Sequence, residues 1–340
     1  MAQTDTPAPC VQIADLCLTP DDTTIMLTGN DLTALSDVLA ATWISSIKLD
    51  GTGYTGPEID LSPLNNMPEL QSLQVSSLRG ANWDSLTSSS VQSLNLAHNG
   101  NADYGFMSAL PRLRFLRLDE RLALSDLPRD LRARLETLKL SGPDLLSLNG
   151  GSDMTSLRIL VLADASLSTL DGLGHLPALE TLTILGDGVT SLDGFVPGPA
   201  FATLRAEGSS LQDISALATA DNLNALHGKN SQINDISSLA GKHKIRQLFL
   251  TGTQVTDMSP LRALASLELL SLSRTPVTDI TAFSDLPAIV AIWMNVTEVT
   301  DFTPLLENPN DILLRINGDS VLMSSRLPEF IAKEGWKPKN

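Results

Sequence analysis

Five aspartates recur at one fixed interval: Asp213, Asp235, Asp257, Asp279 and Asp301 stand 22 residues apart. A row of carboxylates invites a calcium reading. Ca²⁺, however, takes six or more converging oxygens, and one carboxylate per repeat on an outer surface does not converge. Each Asp also stands directly before an apolar residue, Ile214, Ile236, Met258, Ile280 or Phe302. There its oxygens can accept the free N–H groups that open a short helical turn. Capping, not metal binding, is the chemistry expected of the row.

The other reactive side chains assemble into nothing catalytic. The four histidines, His98, His175, His227 and His243, are dispersed without metal-ligand spacing. No phosphate-binding GxxxxGK loop, GxSxG elbow or HExxH pair occurs. The expectation is therefore a protein that is not an enzyme and carries no cofactor and no metal. A net charge of −16 argues against general nucleic-acid binding, which needs a basic surface. No apolar run reaches the roughly 18 residues of a membrane-spanning helix. Cys10 and Cys17 are the two cysteines of the chain. A bridge between them, as oxidising compartments favour, and two free thiols in a reducing one are both open readings.

The Asp row is one line of a larger pattern. From Val91 an apolar residue opens a Leu-x-x-Leu-x-Leu-like hexapeptide every 22 residues, at Leu113, Leu135, Leu157, Leu179, Phe201, Leu223, Ile245, Leu267 and Ile289. Earlier units are Ile44/Ile47/Leu49 and Leu70/Leu73/Val75, with an insertion around residues 51–57, and one step further back lies Ile25/Leu27. Forwards, one more step gives Leu314/Ile316, with Val321 and Leu327 in its second half. The hexapeptide suits a short strand whose residues three and five after the opener face inward. Positions ten, thirteen and sixteen after it are apolar too, as in Val255/Met258/Leu261, and spacing by three suits a 3₁₀ turn. A period of about 20–29 residues with this signature marks leucine-rich repeats. The expected fold is an α/β repeat solenoid: a horseshoe with a parallel concave sheet, short 3₁₀ or helical turns on the convex side, and about 14 rungs.

The runs Val255-Thr256-Asp257-Met258-Ser259-Pro260-Leu261, Val277-Thr278-Asp279-Ile280 and Val299-Thr300-Asp301-Phe302-Thr303-Pro304-Leu305 carry a family resemblance, echoed by Asp60-Leu61-Ser62-Pro63-Leu64. The repeats resemble the 22-residue bacterial repeats of the internalin family and are similar to those of leucine-rich-repeat phosphatase regulators. The resemblance covers most of the chain and implies the fold; family members bind unrelated partners. Such repeats usually carry Asn eight residues after the opener. Here only Asn30 and Asn99 fit, and Ser209, Ser231, Thr253, Thr275 and Thr297 stand in for it. Rungs between Leu70 and Leu135 are irregular in their second halves, where bulged or lengthened loops are expected.

The concave face is read from positions two and four after each opener. Neither series contains Asp or Glu, and its charges are Lys48, Arg117, Lys139, Arg205 and Arg315. Phe249, Leu269, Trp293 and Leu313 fall on four successive rungs, flanked by His227 and Arg315, with Arg205 beyond. A smaller cluster holds Ile159, Val161 and Leu185. Adjoining exposed apolar groups mark contact sites, and Trp and Arg are enriched in binding hot spots. These seven residues form the candidate partner site. A folded-back cap or a second copy covering the patch is the competing reading, and a register slip of one residue would turn the side chains inward.

Solenoid ends expose core and need caps. The expected organisation is residues 1–21 as a disordered start and N-terminal cap, 22–326 as solenoid, and 327–340 as C-terminal cap and tail. Residues 31–41 are expected to form a helix capped by Asn30 or Asp31. An apolar lid over 327–336 would use Phe330, Ile331 and Trp336. The function expected is protein–protein interaction on the concave face of a bacterial protein, secreted, periplasmic or at the cell surface. The alternatives are a cytoplasmic scaffold or regulatory subunit of an enzyme, as the phosphatase-regulator resemblance allows, and a glycan-binding adhesin.

Overall fold

A computed structural model describes residues 10–100, 103–316 and 319–322. The segment 1–9 expected to be disordered and the expected lid and tail from residue 327 onward lie outside the described residues. The chain divides into two compact units, Met1–Leu146 and Ser147–Asn340.

The first unit opens on an antiparallel hairpin, Val11–Ile13 with Leu16–Leu18, which the Cys10–Cys17 disulfide closes across a Cα–Cα distance of 5.3 Å. The Trp43 indole N–H is shared between the carbonyls of Thr19 and Asp22, at 3.0 and 3.1 Å, and ties the hairpin exit to the second rung. Six parallel strands follow: Thr24–Thr28, Ser46–Asp50, Ser72–Ser76, Ser93–Ala97, Phe115–Asp119 and Thr137–Ser141. Their inward pairs, from Ile25/Leu27 to Leu138/Leu140, are buried. Ser46 pairs with Ser72 although 26 residues separate them, so the insertion at 51–57 is absorbed outside the strands.

The second unit carries eight parallel strands: Ile159–Ala163, Thr181–Leu185, Thr203–Arg205, Ala225–His227, Gln247–Phe249, Leu269–Ser271, Ala291–Trp293 and Leu313–Ile316. Six and eight make fourteen, one parallel strand for each expected rung. The second halves are the expected short turns, for example the 3₁₀ segments Ser215–Thr219, Ser259–Ala263 and Thr281–Asp285. All fifteen residues at positions ten, thirteen and sixteen of the five rungs from Leu211 to Leu305 are buried. Burying a Leu or Ile side chain contributes about 1.5–3 kcal/mol, and stacked rungs bury what one rung alone leaves wet.

Polar side chains finish each turn. The N–H groups of Ser215, Ser237, Ser259, Thr281 and Thr303 donate to Oδ1 of Asp213, Asp235, Asp257, Asp279 and Asp301 at 2.7–2.9 Å. Each Asp sits one residue before the N-cap and serves the first N–H of the turn. The hydroxyls of Ser209, Ser231, Thr253, Thr275 and Thr297 are buried and donate to the carbonyl three residues back, at 2.6–3.3 Å. Asn99 instead reaches the preceding rung: its Oδ1 accepts the Leu78 N–H at 2.9 Å and its Nδ2 donates to Val75 O at 3.0 Å.

Three expectations need correction. The N-terminal turn is a 3₁₀ helix, Gly29–Ala40, whose N-cap is Thr28 without a side-chain cap bond; neither Asn30 nor Asp31 caps it, because the helix begins before them. The irregular rungs do not lengthen. Their second halves hold varied short pieces, among them a single α-helix, Arg129–Arg134, and the buried Arg132 donates to the carbonyls of Leu124 and Leu127 at 2.9 and 3.0 Å. Finally, Val321 does not continue a forward rung. The chain reverses, and Asp319–Leu322 pairs antiparallel with Leu313–Ile316, Val321 opposite Leu314.

Two outcomes are expected. Leu270→Ala, at a fully buried strand position, should lower the stability measured by urea unfolding by about 2–5 kcal/mol. The Ser215 N–H, and secondarily the hydroxyls of Ser215 and Ser191, hold the Asp213 carboxyl below its ordinary value. A folded pKa below the unfolded one adds stability above the unfolded value of about 3.9, and that stability is lost as pH falls through the folded pKa. The stability gap between wild type and Asp213→Asn should therefore be open at pH 7 and narrow in acid.

Candidate functional site

Parallel pairing in the second unit sets its outward side chains in columns. One column, four residues after each opener, runs Arg205, His227, Phe249, Ser271, Trp293, Arg315 in direct register. The other, two after the opener, runs Thr203, Ala225, Gln247, Leu269, Ala291, Leu313 in the same register. The seven predicted residues thus share one face, away from the core. Phe249, Leu269, Trp293 and Leu313 are half-buried, whereas Arg205 and Arg315 are exposed.

Aromatic contacts bind the first column together. The rings of His227 and Phe249 lie 4.9 Å apart, and Phe249 meets Trp293 edge-on at 6.5 Å, across the small Ser271. Edge-to-face pairs at such distances are favourable beyond the area they bury. His227 Nε2 faces Gln247 Oε1 at 3.3 Å, and Nδ1 faces Glu207 Oε1 at 3.6 Å. Burial, and then the charge of Arg205, push the His227 pKa below its ordinary value, against the pull of Gln247 and Glu207. The imidazole is consequently neutral at pH 7.

A groove of about 550 Å³ continues from this row past the strand ends. Phe249, Ser271 and Trp293 form one wall, and Glu207, Lys229, Thr251, Ser273, Arg274, Asn295 and Val296 the rest. The smaller cluster lies elsewhere on the unit: Ile159 faces Thr181, Val161 faces Thr183 and Leu185 faces Ala163, with Ile159 and Leu185 exposed.

No family model and no curated protein matches the sequence. Solved structures do match. An internalin from Listeria monocytogenes aligns over 89% of this chain and 89% of its own at 16% identity, with a TM-score of 0.52. A leucine-rich-repeat protein from Leptospira interrogans aligns over 82% of both chains at 16% identity and a TM-score of 0.51. A chain of the glycosylated Toll–Spätzle complex from Drosophila aligns over 93% of this chain and 45% of its own, at 15% identity and a TM-score of 0.63. The fold is a leucine-rich-repeat solenoid. The internalin resemblance read from the repeats is thus met at the level of fold.

What the repeat reading missed lies just after the strands. In seven rungs of the second unit, the residue seven after the opener is left-handed: Asp164, Gly186, Gly208, Asn230, Gly252, Arg274 and Val296, with φ between 53° and 80°. That conformation aims the N–H at the next rung. Gly208, Asn230, Gly252 and Arg274 donate to the carbonyls of Lys229, Thr251, Ser273 and Asn295 at 2.7–2.8 Å, which extends the ladder past the strand. Gly, Asn and Asp tolerate positive φ; for other residues it costs about 1–2 kcal/mol, and a β-branched residue there is an outlier. Arg274 and Val296 are the two exceptions in this series, and both line the groove. The recurrent glycines at 186, 208 and 252 were the available signal.

Among the described residues, no group of three or more His, Cys, Asp or Glu could hold a metal ion. An NMR titration of the histidines should find His227 below its ordinary pKa, and Arg205→Ala should move it upward by removing a repelling charge.

Proposed function

We propose that this leucine-rich-repeat chain is a non-enzymatic protein-interaction module whose partner docks on the outward strand face of the second unit, the face expected from the sequence to be concave. The observation that carries this reading is the half-exposed His227–Phe249–Trp293 row continuous with the groove. Its chemistry is that of a contact surface. It offers rigid aromatic area, a neutral imidazole, small hydroxyls and flanking arginines, the mixture that concentrates binding energy at protein interfaces. The Toll–Spätzle complex supports the reading, since the same fold serves there in a complex.

The docking residues proposed are Phe249, Leu269, Trp293, Leu313, Arg315, His227 and Arg205. The chain is proposed to work outside the reducing cytosol of a bacterium, as a secreted, periplasmic or surface protein. The bridge between Cys10 and Cys17, the two cysteines of the chain, supports that placement, because structural disulfides persist in oxidising compartments. No helix of the described residues is long and apolar enough to cross a membrane.

The test is an interaction screen of the full chain against an array of folded secreted and cell-surface proteins, each hit being titrated by calorimetry. Trp293→Ala should weaken a genuine hit by about 2 kcal/mol or more while leaving the unfolding midpoint nearly unchanged. Undiminished affinity in the folded variant would overturn the docking face.

A further inference from the structure

The groove described above has a sign, a length and a strain of its own, and together they define what it holds. Lys229 and Arg274 line it against one carboxylate, Glu207, in a chain of net charge −16. The Lys229 ammonium has no ion pair or hydrogen bond among the described residues. Arg274 has one side-chain bond among them, from Nη2 to Oδ1 of Asn230 at 3.1 Å, reaching over the intervening rung. That reach depends on Gly252, where a Cβ would lie 2.4 Å from the same Asn230 oxygen. The guanidinium is therefore held at one nitrogen, with donors left to spend on a ligand.

Arg274 and Val296 hold their places against backbone preference. Five neighbouring rungs place Gly, Asn or Asp at this position, so the fold has no need of a long cation or a β-branched side chain there. Val296 nonetheless sits in it with 56% of its surface exposed, and buries little in return. Strained residues cluster at binding sites, where the side chain rather than the fold requires them.

Size narrows the occupant further. The lining residues come from five successive rungs, which at about 4.8 Å per strand span on the order of 20 Å. An extended peptide of about six residues, at about 3.3 Å each, has that length. Thr251, Ser273 and Asn295 stand in one row along it; the Thr251 hydroxyl bonds that of Ser271, and the Ser273 hydroxyl accepts the Asn295 N–H.

We propose that the groove binds an extended segment of the protein partner in which an aspartate or glutamate adjoins a large apolar side chain. The apolar group packs on Phe249, Trp293 and Val296, and the carboxylate pairs with Arg274, with Lys229 adding to the local positive potential. This rests on the docking reading above and specifies the chemistry of what docks.

The experiment pans phage-displayed random dodecapeptides on the full chain and resynthesises the enriched peptides for fluorescence-polarisation titration. The expected consensus places Asp or Glu within two residues of Phe, Trp, Leu or Ile. Affinity should fall with added salt and drop about tenfold in Arg274→Gly. Arg274→Glu should bind poorly and recover when the peptide carboxylate is replaced by Lys, a rescue that a merely structural arginine would not show. Val296→Gly should raise the unfolding temperature while weakening the same peptides. An enriched consensus without an acid, or affinity indifferent to Arg274→Gly but lost in Trp293→Ala, would overturn the acidic assignment and leave the docking face standing. Enriched peptides indifferent to both substitutions, or no enrichment at all, would overturn the groove as a peptide site. A lower melting temperature for Val296→Gly would overturn the recognition role of Val296.

Discussion

Two registers must coincide for this chain to fold: the hydrogen-bond pairing of parallel strands and the step at which inward apolar residues return. Where the step is 22, Leu248 lies beside Leu226 and Leu270, and the inward row continues. A slip of one residue would turn each such row to solvent. The pairing is what is held constant, not the count. Between Ser46 and Ser72 the chain is four residues longer, yet the inward positions still match and the surplus is displaced into 51–57. In the five rungs that carry them, the Asp acceptors and buried hydroxyls follow from this constraint, since each of those turns satisfies backbone groups at the same place.

The strands and the apolar half-turns were legible because burial imposes a period, and period is what a single sequence shows best. The Asp row was legible for a related reason, as one residue type recurring beside one apolar position. The errors have a common origin. Extrapolating by 22 carried Val321 into a forward rung, whereas the chain reverses after Ile316. Asn30 fell on the expected asparagine position, yet it lies inside a 3₁₀ helix that starts at Gly29. Local geometry, to which periodicity is blind, decided both.

The candidate site was half legible. Phe249, Trp293 and His227 came from the strand columns, where side chains alternate strictly. Lys229, Arg274 and Val296 lie beyond the strands, where no apolar alternation marks which way a side chain faces. A different kind of signal operates there: backbone conformation, visible as recurrent glycine, with Arg274 and Val296 as interruptions. The electrostatics of the region follow the same division. The chain is strongly acidic as a whole, but distant charges are screened beyond about 8 Å at physiological ionic strength. At contact range Lys229 and Arg274 set the local sign.

The polar bonding of the turns differs along the chain. The buried hydroxyls of Ser209, Ser231, Thr253, Thr275 and Thr297 are each satisfied inside their own rung. Asn99 draws on the carbonyl of Val75 and the N–H of Leu78, one rung back. Duplicating or deleting one of these rungs in the gene leaves none of these five hydroxyls orphaned. The rungs joined through Asn99 must be inherited together. These turn hydroxyls thus set no constraint of their own on repeat number, whereas Asn99 ties its rung to the one before it.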